Sequence, residues 1–192
     1  MRFDSVLAAA DVPTLQAAVA ALRRPARRLA RGVTAPRAGL AQPLQFQVVI
    51  DERDHSWTFD RQGDRHRDQY RDGVLFSVDG SVEVSFARSG AVAPRVRLLT
   101  PELLLLWGSP ASFAPILVQR IHGHWLLVTF EHERDPADRV TVVIDERDGV
   151  AHRSYGTSEI TVLTEIRVMD DDEPAPPRPR FSRLQEWPVL EY

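Results

Sequence analysis

Histidines and carboxylates are densest between positions 122 and 133, where His122, His124, Glu131, His132 and Glu133 fall together. Imidazole nitrogens and carboxylate oxygens ligate zinc-like ions, and paired they can also move protons. Spacing argues against a shared metal. On one strand His124 and His132 would face the same side, but eight residues of extended chain put them about 26 Å apart. His122 and His124 stand at i and i+2, but the glycine between them favours a turn. These histidines are therefore expected at turns and rims, and no metal site is assigned. Glu131 and Asp145 fall near strand ends, where they offer a general acid and base. The polar face of a half-buried sheet would show the same residues. No Gly-x-Ser-x-Gly elbow, phosphate-cradling glycine loop or His-Glu-x-x-His motif occurs. No catalytic residue is assigned, and no cofactor is expected.

Composition narrows the chemistry further. The chain has no Cys, which rules out disulfides, thiolate catalysis and a lipid-modified cysteine. All 24 basic residues are Arg, so neither a Schiff-base lysine nor a P-loop lysine exists. A net charge of −3 argues against general nucleic-acid binding. The charge is unevenly spread. No acid occurs from Val12 to Ile50, a stretch that carries Arg23, Arg24, Arg27, Arg28, Arg31 and Arg37; the acidic counterpart is Asp170 to Glu173. Arg23, Arg24, Arg27, Arg28 and Arg31 offer a docking face for an anionic membrane surface or a protein partner. A solvated helix face is the simpler reading. No apolar run approaches the ~20 residues of a membrane span. The alanine-rich N-terminus, broken by Asp4, Asp11 and Pro13, does not read as a signal peptide, so a cytoplasmic location is expected.

The elements that must position these residues follow from periodicity. Residues 13 to 31 read as helix, capped by Thr14, with Leu15, Val19, Leu22 and Leu29 on one stripe and Pro25 ending or kinking it. Residues 32 to 43 read as a linker. Strand alternation follows at Leu44 to Ile50, Val74 to Val78, Val82 to Phe86, Ile116 to Ile121, His124 to Glu133, Val140 to Ile144 and Ile160 to Val168. More polar strands are expected at 56–60 and 67–70, near an edge, with a further one at 95–99. Asp79-Gly80, His122-Gly123 and Asp148-Gly149 mark turns. Thr100, Pro101 and Glu102 open a short buried helix closed by Gly108. The seven residues Val48 to Asp54 recur unchanged as Val142 to Asp148. Each copy reads as a strand entering a charged turn, and together they imply two like hairpins in a meander. A rim built from both charged turns is the functional alternative.

The domain layout is thus an Arg-rich helix and linker over 1–43, and a sheet domain over 44–169 with a helix inserted at 100–108. An acidic, proline-rich tail over 170–192 follows, which Phe181, Leu184 and Trp187 anchor back on the body. The fold class is α+β: a curved antiparallel half-barrel whose concave face is covered by the two helices.

That order resembles the lipoprotein-carrier fold of LolA and related periplasmic and lipid-binding proteins. The resemblance spans about residues 44 to 183. It rests on the Thr100-Pro101-Glu102-Leu103-Leu104 helix and the strand-Gly-strand unit Ile121-His122-Gly123-His124-Trp125. Val143-Ile144-Asp145 followed by Gly149, the strand end Leu163-Thr164-Glu165-Ile166, and Phe181 complete it. It implies a cavity for an acyl chain or hydrophobic small molecule, and no catalysis. Those proteins are exported or lipid-anchored, whereas neither an export signal nor a lipidation cysteine is expected here, so lipoprotein carriage is not carried over. The expected function is non-enzymatic binding of an apolar or amphiphilic ligand, with Trp107, Trp125, Phe76 and Phe130 as its contacts. A small biosynthetic enzyme using the same chamber, and a protein–protein interaction module, are the alternatives.

Overall fold

The computed structural model describes residues 5–8, 11–37, 42–63, 67–72, 74–78, 95–108, 112–177, 179 and 181. The expected hairpin at Asp79-Gly80 with its return strand 82–86, and the anchors Leu184 and Trp187, lie outside them.

Among the described residues, eleven strands form one antiparallel sheet: β1 (Ser5–Val6), β2 (Arg27–Pro36), β3 (Leu44–Asp51), β4 (Ser56–Arg61), β5 (Arg67–Arg71), β6 (Val74–Val78), β7 (Phe113–Ile121), β8 (Trp125–His132), β9 (Asp135–Asp145), β10 (Val150–Tyr155) and β11 (Glu159–Val168). Their spatial order is β1-β7-β8-β9-β10-β11-β2-β3-β4-β5-β6. Among the described strands the sheet is open, with β1 and β6 at the two ends of the order. Register shifts interrupt the ladders at Pro115/Leu117, Glu131/His132, Ala151/Arg153 and Leu163/Glu165. Such irregularities bend strands and increase twist, which curls a long sheet. Pro115, lacking an N–H, sits at one of them, where a ladder tolerates it.

Alternation places one apolar set on the concave face. Phe46, Val48 and Ile50 of β3, Trp57 and Phe59 of β4, Leu126, Val128 and Phe130 of β8, and Val142 and Ile144 of β9 join one core. The helix α1 (Val12–Leu22) covers them with Leu15 and Val19, both fully buried. The segment Val96–Leu99 adds Val96, Leu98 and Leu99. Burial at this level contributes about 1.5–3 kcal/mol per large side chain. A smaller cluster of Leu29, Val49 and Met169 occupies the convex face. This second cover explains why residues 46 to 50 are buried without a break.

Two expected helices differ. The first ends at Leu22, and Thr14 lies within its first turn rather than capping it. Arg27 to Arg31 are not a further helical turn, and 32–36 is not linker: both belong to β2, laddered to β11 and β3. Alanine-rich local propensity loses there to two complete ladders, and Pro25 prevents the helix from continuing. The inserted helix at 100–108 is absent. Val96–Leu99 and Pro101–Leu103 are single 3-10 turns, and Leu104 already has an extended ψ of 143°. The same turn replaces the strand expected at 95–99. Leu103 and Leu105 face solvent, so the leucine run is not deeply buried. With Thr100 making no side-chain cap and only six residues between Pro101 and Gly108, the segment is too short to hold an α-helix by itself.

The repeated heptapeptide builds one turn twice. Asp51 Oδ1 accepts the Arg53 N–H (3.1 Å), and Asp145 Oδ1 that of Arg147 (2.9 Å). Asp54 caps Ser56 (3.0 Å) as Asp148 caps Val150 (2.8 Å). His55 and Gly149 occupy the same left-handed position, at φ 55° and 68°. Such Asx-type bonds are why aspartate recurs at tight turns.

Candidate functional site

Both repeated turns meet the C-terminal end of α1. The Arg23 guanidinium donates to Glu52 Oε2 (2.8 Å) in the first repeated turn and to Glu102 Oε1 in the second 3-10 turn. Arg28 completes the group by donating to Glu52 Oε1. All four side chains are buried or nearly so. Burial raises the Glu52 carboxyl above its ordinary value, and the charges of Arg28 and Arg23 only partly oppose it. These contacts spend the arginines that the sequence offered to a partner. Arg31 pairs with Glu165 (2.9 Å), and Arg27 donates to the carbonyls of Asp170 and Glu173. Arg24 is exposed, with its carbonyl bonded to Arg28 (2.8 Å). The acidic segment takes its side-chain partners from elsewhere: Arg53 reaches Asp171 (2.7 Å), and Arg167 holds Glu173 through both oxygens. Phe181 is half-buried and lines a hollow with Arg31, Gly32 and Phe46.

The acid–base and histidine candidates do not converge. Glu131 pairs with Arg139 and Asp145 with Arg147. Glu131 lies opposite Arg139, and Asp145 lies opposite Trp125. Six strand residues thus separate the two carboxylates, about 20 Å along the sheet. His122 occupies a turn at φ 47°, His124 packs beside Trp125, and His132 packs edge-on to Phe113. The sequence did not group Asp145 and Asp148 with His152, yet their ligand atoms lie within 4.8 Å of one another. His152 Nε2 is 3.0 Å from Asp148 Oδ2, while both Asp145 oxygens are held by Arg147. Burial works to raise the Asp145 carboxyl, but hydrogen bonds and charge from Arg147, with help from His124, hold it low. The cluster is an ion-paired turn.

Of the four aromatic residues expected to contact a ligand, two meet. Trp107 packs edge-on to Phe130, with ring centres 4.9 Å apart, and its indole N–H donates to the Pro101 carbonyl (2.8 Å). Phe130 is wholly inside the core. Trp125 alternates to the other face of β8, where it packs edge-on to His152 (5.0 Å). Phe76 pairs with Gln69 between β6 and β5, on the far side of the sheet from β8.

The space beside this pair is the better-formed site. A cavity of about 260 Å³ lies between the 95–106 segment and strands β9 to β11. Leu98, Leu104, Leu106 and Val140 form its apolar wall, and Val140 is the cross-strand neighbour of Phe130. The rim carries Arg95, Arg97 and Glu159, with Ser154, Ser158 and Thr161 between them. Arg95 is fixed from two sides: Nε donates to Thr34 Oγ1 (2.8 Å) and a terminal nitrogen to Glu159 Oε2 (3.1 Å). Thr34 in turn shares a hydrogen bond with Thr161 (3.0 Å). Arg97 is buried, donates to the Leu103 carbonyl (3.1 Å), and has its pKa lowered by loss of solvent. The only sequence signal for this site was arginine interrupting an apolar run at 95–99.

Comparison with known proteins agrees with this architecture. No family model and no curated protein matches the sequence. Among solved structures, a chain of the Pseudomonas aeruginosa MucA/MucB complex aligns over 86% of this chain at 12% identity, with a TM-score of 0.50. The open curved sheet with one covering helix is the form that the sequence resemblance implied. The fold is LolA-like. A LolA superfamily protein from Nitrosomonas europaea aligns over 83% of this chain and 94% of its own, at 10% identity and a TM-score of 0.38. A DUF1329 family protein from Desulfovibrio piger aligns over 87% and 95%, at 9% identity and 0.43. This chain spans only 59% of the matched MucA/MucB chain. At these identities the likeness is one of fold alone.

Proposed function

We propose that this LolA-like protein binds, without catalysis, a small apolar or amphiphilic molecule in the cavity between the 95–106 segment and β9 to β11. The observation that carries the reading is the lining: leucines and Val140 inside, fixed polar groups at the rim. Ligand sites are typically built this way, with an apolar wall and a few placed polar atoms. At about 260 Å³ the cavity is smaller than the ~300–1,000 Å³ of drug-sized sites, so it suits a medium chain or the end of a longer one. Candidate contacts are therefore Leu98, Leu104, Leu106 and Val140, with Trp107 and Phe130 as the packing behind them. Titration with N-phenyl-1-naphthylamine tests it. Saturable fluorescence enhancement at one probe per chain, reversed by decanol and lost in a folded Val140→Phe variant, is expected. Absence of saturable binding to the folded wild type overturns the reading.

A second reading is an interaction module. Tight packing of most of the concave face by α1 and residues 96–99, with Leu103 56% and Leu105 48% exposed, favours it. The arginines at 23, 27, 28 and 31 favour it less, since each already has an internal partner. A protein partner whose binding is lost in Leu103→Ser, with probe binding intact, supports this reading.

A further inference from the structure

We propose that the convex face carries a second binding site, for a neutral polyhydroxylated molecule of monosaccharide size, beside the first copy of the repeated turn. This site is independent of the concave cavity. A hollow of about 320 Å³ lies between β3 to β5 and the C-terminal segment, of which Asp171 and Ala175 line it. That segment is fixed: Arg167 holds both carboxylate oxygens of Glu173, and Arg27 donates to the Glu173 carbonyl. Strand alternation builds the floor. Val49 of β3 faces Thr58 of β4, which faces Gln69 of β5, so the three share one side of the sheet. Asp51 and Ser56 are the next pair on that side. Such cross-strand neighbours stand about 5 Å apart, close enough for one small ring to meet several of them.

The repeat points to a ligand. In its second copy the aspartates are satisfied within the protein. Arg147 takes both oxygens of Asp145, while the Val150 N–H and His152 take those of Asp148. In the first copy Arg53 turns to Asp171 instead. Asp51 and Asp54 each bond one backbone N–H through Oδ1, and among the described residues their Oδ2 atoms have no protein partner. The half-buried Thr58 hydroxyl and Gln69 amide make no protein hydrogen bond among those residues either. The same letters thus give a self-satisfied turn in one place and unused acceptors beside a hollow in the other. Arg27 and Arg71 line that hollow together with Asp51 and Asp54. A cation would meet the guanidiniums and an anion the carboxylates. A hydroxyl donates to a carboxylate and accepts from an amide or guanidinium, so adjacent hydroxyls use both kinds of group without burying a charge. Each bond replaces one to water, so affinity on the order of millimolar is expected.

Saturation-transfer-difference NMR of the intact chain with glucose, galactose, mannose and myo-inositol tests this. Saturable binding of at least one of them, at a dissociation constant of about 10 mM or tighter, is expected. The amino and phosphate derivatives of that compound should bind at least about threefold more weakly. Thr58→Val and Gln69→Ala should each weaken it about three- to tenfold, the worth of one hydrogen bond. Glu146→Ala, in the second copy of the turn, should leave it unchanged. Circular dichroism of each variant establishes that it is folded. N-phenyl-1-naphthylamine binding should be the same with and without the sugar, because the sheet separates the two sites. Absence of saturable binding by all four compounds overturns the proposal. So does a charged derivative that binds as tightly as its neutral parent, full affinity in the folded Thr58→Val and Gln69→Ala variants, or displacement of the naphthylamine by the sugar.

Discussion

The backbone of Arg23 lies directly against Gly149: a Cβ added at Gly149 would fall 2.8 Å from both the nitrogen and the Cα of Arg23. Since Arg23 also holds Glu52, the helix end is wedged between the two copies of the repeated turn. Gly149→Ala is therefore expected to destabilise by about 1–3 kcal/mol, from overpacking and from φ 68°. His55 occupies the equivalent position, and His55→Gly should stay within about 1 kcal/mol of wild type. Urea unfolding of the two variants checks the contrast.

Glu52 and Glu146 are the same letter of the repeat in different surroundings. Glu52→Ala leaves Arg28 buried without its carboxylate and should cost about 3–5 kcal/mol. Glu146 pairs with Arg120, which is 44% exposed, and Glu146→Ala should cost about 1 kcal/mol or less. Thermal or urea midpoints of the pair decide it.

Glu52 and Asp145 give opposite pH dependences. Glu52 is raised by burial, so the folded chain holds its proton more firmly than the unfolded one. Its contribution to stability falls as pH rises from the ordinary glutamate value through the raised one. Asp145 is held low by Arg147, so its contribution is full above the ordinary aspartate value and is lost as pH falls through the lowered one. In urea midpoints followed from pH 3 to 8, Glu52→Gln should flatten the profile above about pH 4.3 and Asp145→Asn below about pH 3.9.

Gly32 is demanded by packing. A Cβ there would meet Phe46 Cζ at 2.5 Å and the Val162 carbonyl at 2.6 Å, because the Phe46 ring lies over the β2 backbone. Gly32→Ala should cost about 1–3 kcal/mol or more. Combined with Phe46→Leu, part of that cost should be recovered, since the ring no longer obstructs the methyl; a double-mutant cycle in urea measures the coupling.

The leucine run should divide sharply. Leu99→Ala removes a fully buried side chain and is expected to cost about 2–5 kcal/mol. Leu105→Ser, at 48% exposure, should change stability by about 0.5 kcal/mol or less. A large loss for Leu105→Ser would mean that the residue is covered.

Period-2 alternation marked β3, β8 and β11 because each presents an apolar set of side chains to the core. Gly149 and its neighbouring aspartates marked a turn because backbone conformation there depends on the residue itself. The repeat announced two equal hairpins for the same reason: the bonds from Asp51 and Asp54, and from Asp145 and Asp148, reach only two residues along the chain. The resemblance to LolA-like carriers supplied the overall form. These features are local, and the chain by itself determined them. The fate of Arg27 to Thr34 was not local. Their alanines and arginines suit a helix, and only the ladders to β11 and β3 make them a strand. The leucines at 103 to 106 likewise took their sides from the sheet beneath them. The cavity was illegible for the same reason: Arg95, Val140 and Glu159 are distant in sequence, and tertiary packing alone brings them to one rim. Bonds within a few residues are written in the order of the letters, whereas burial and ion pairing across the sheet depend on which strands become neighbours.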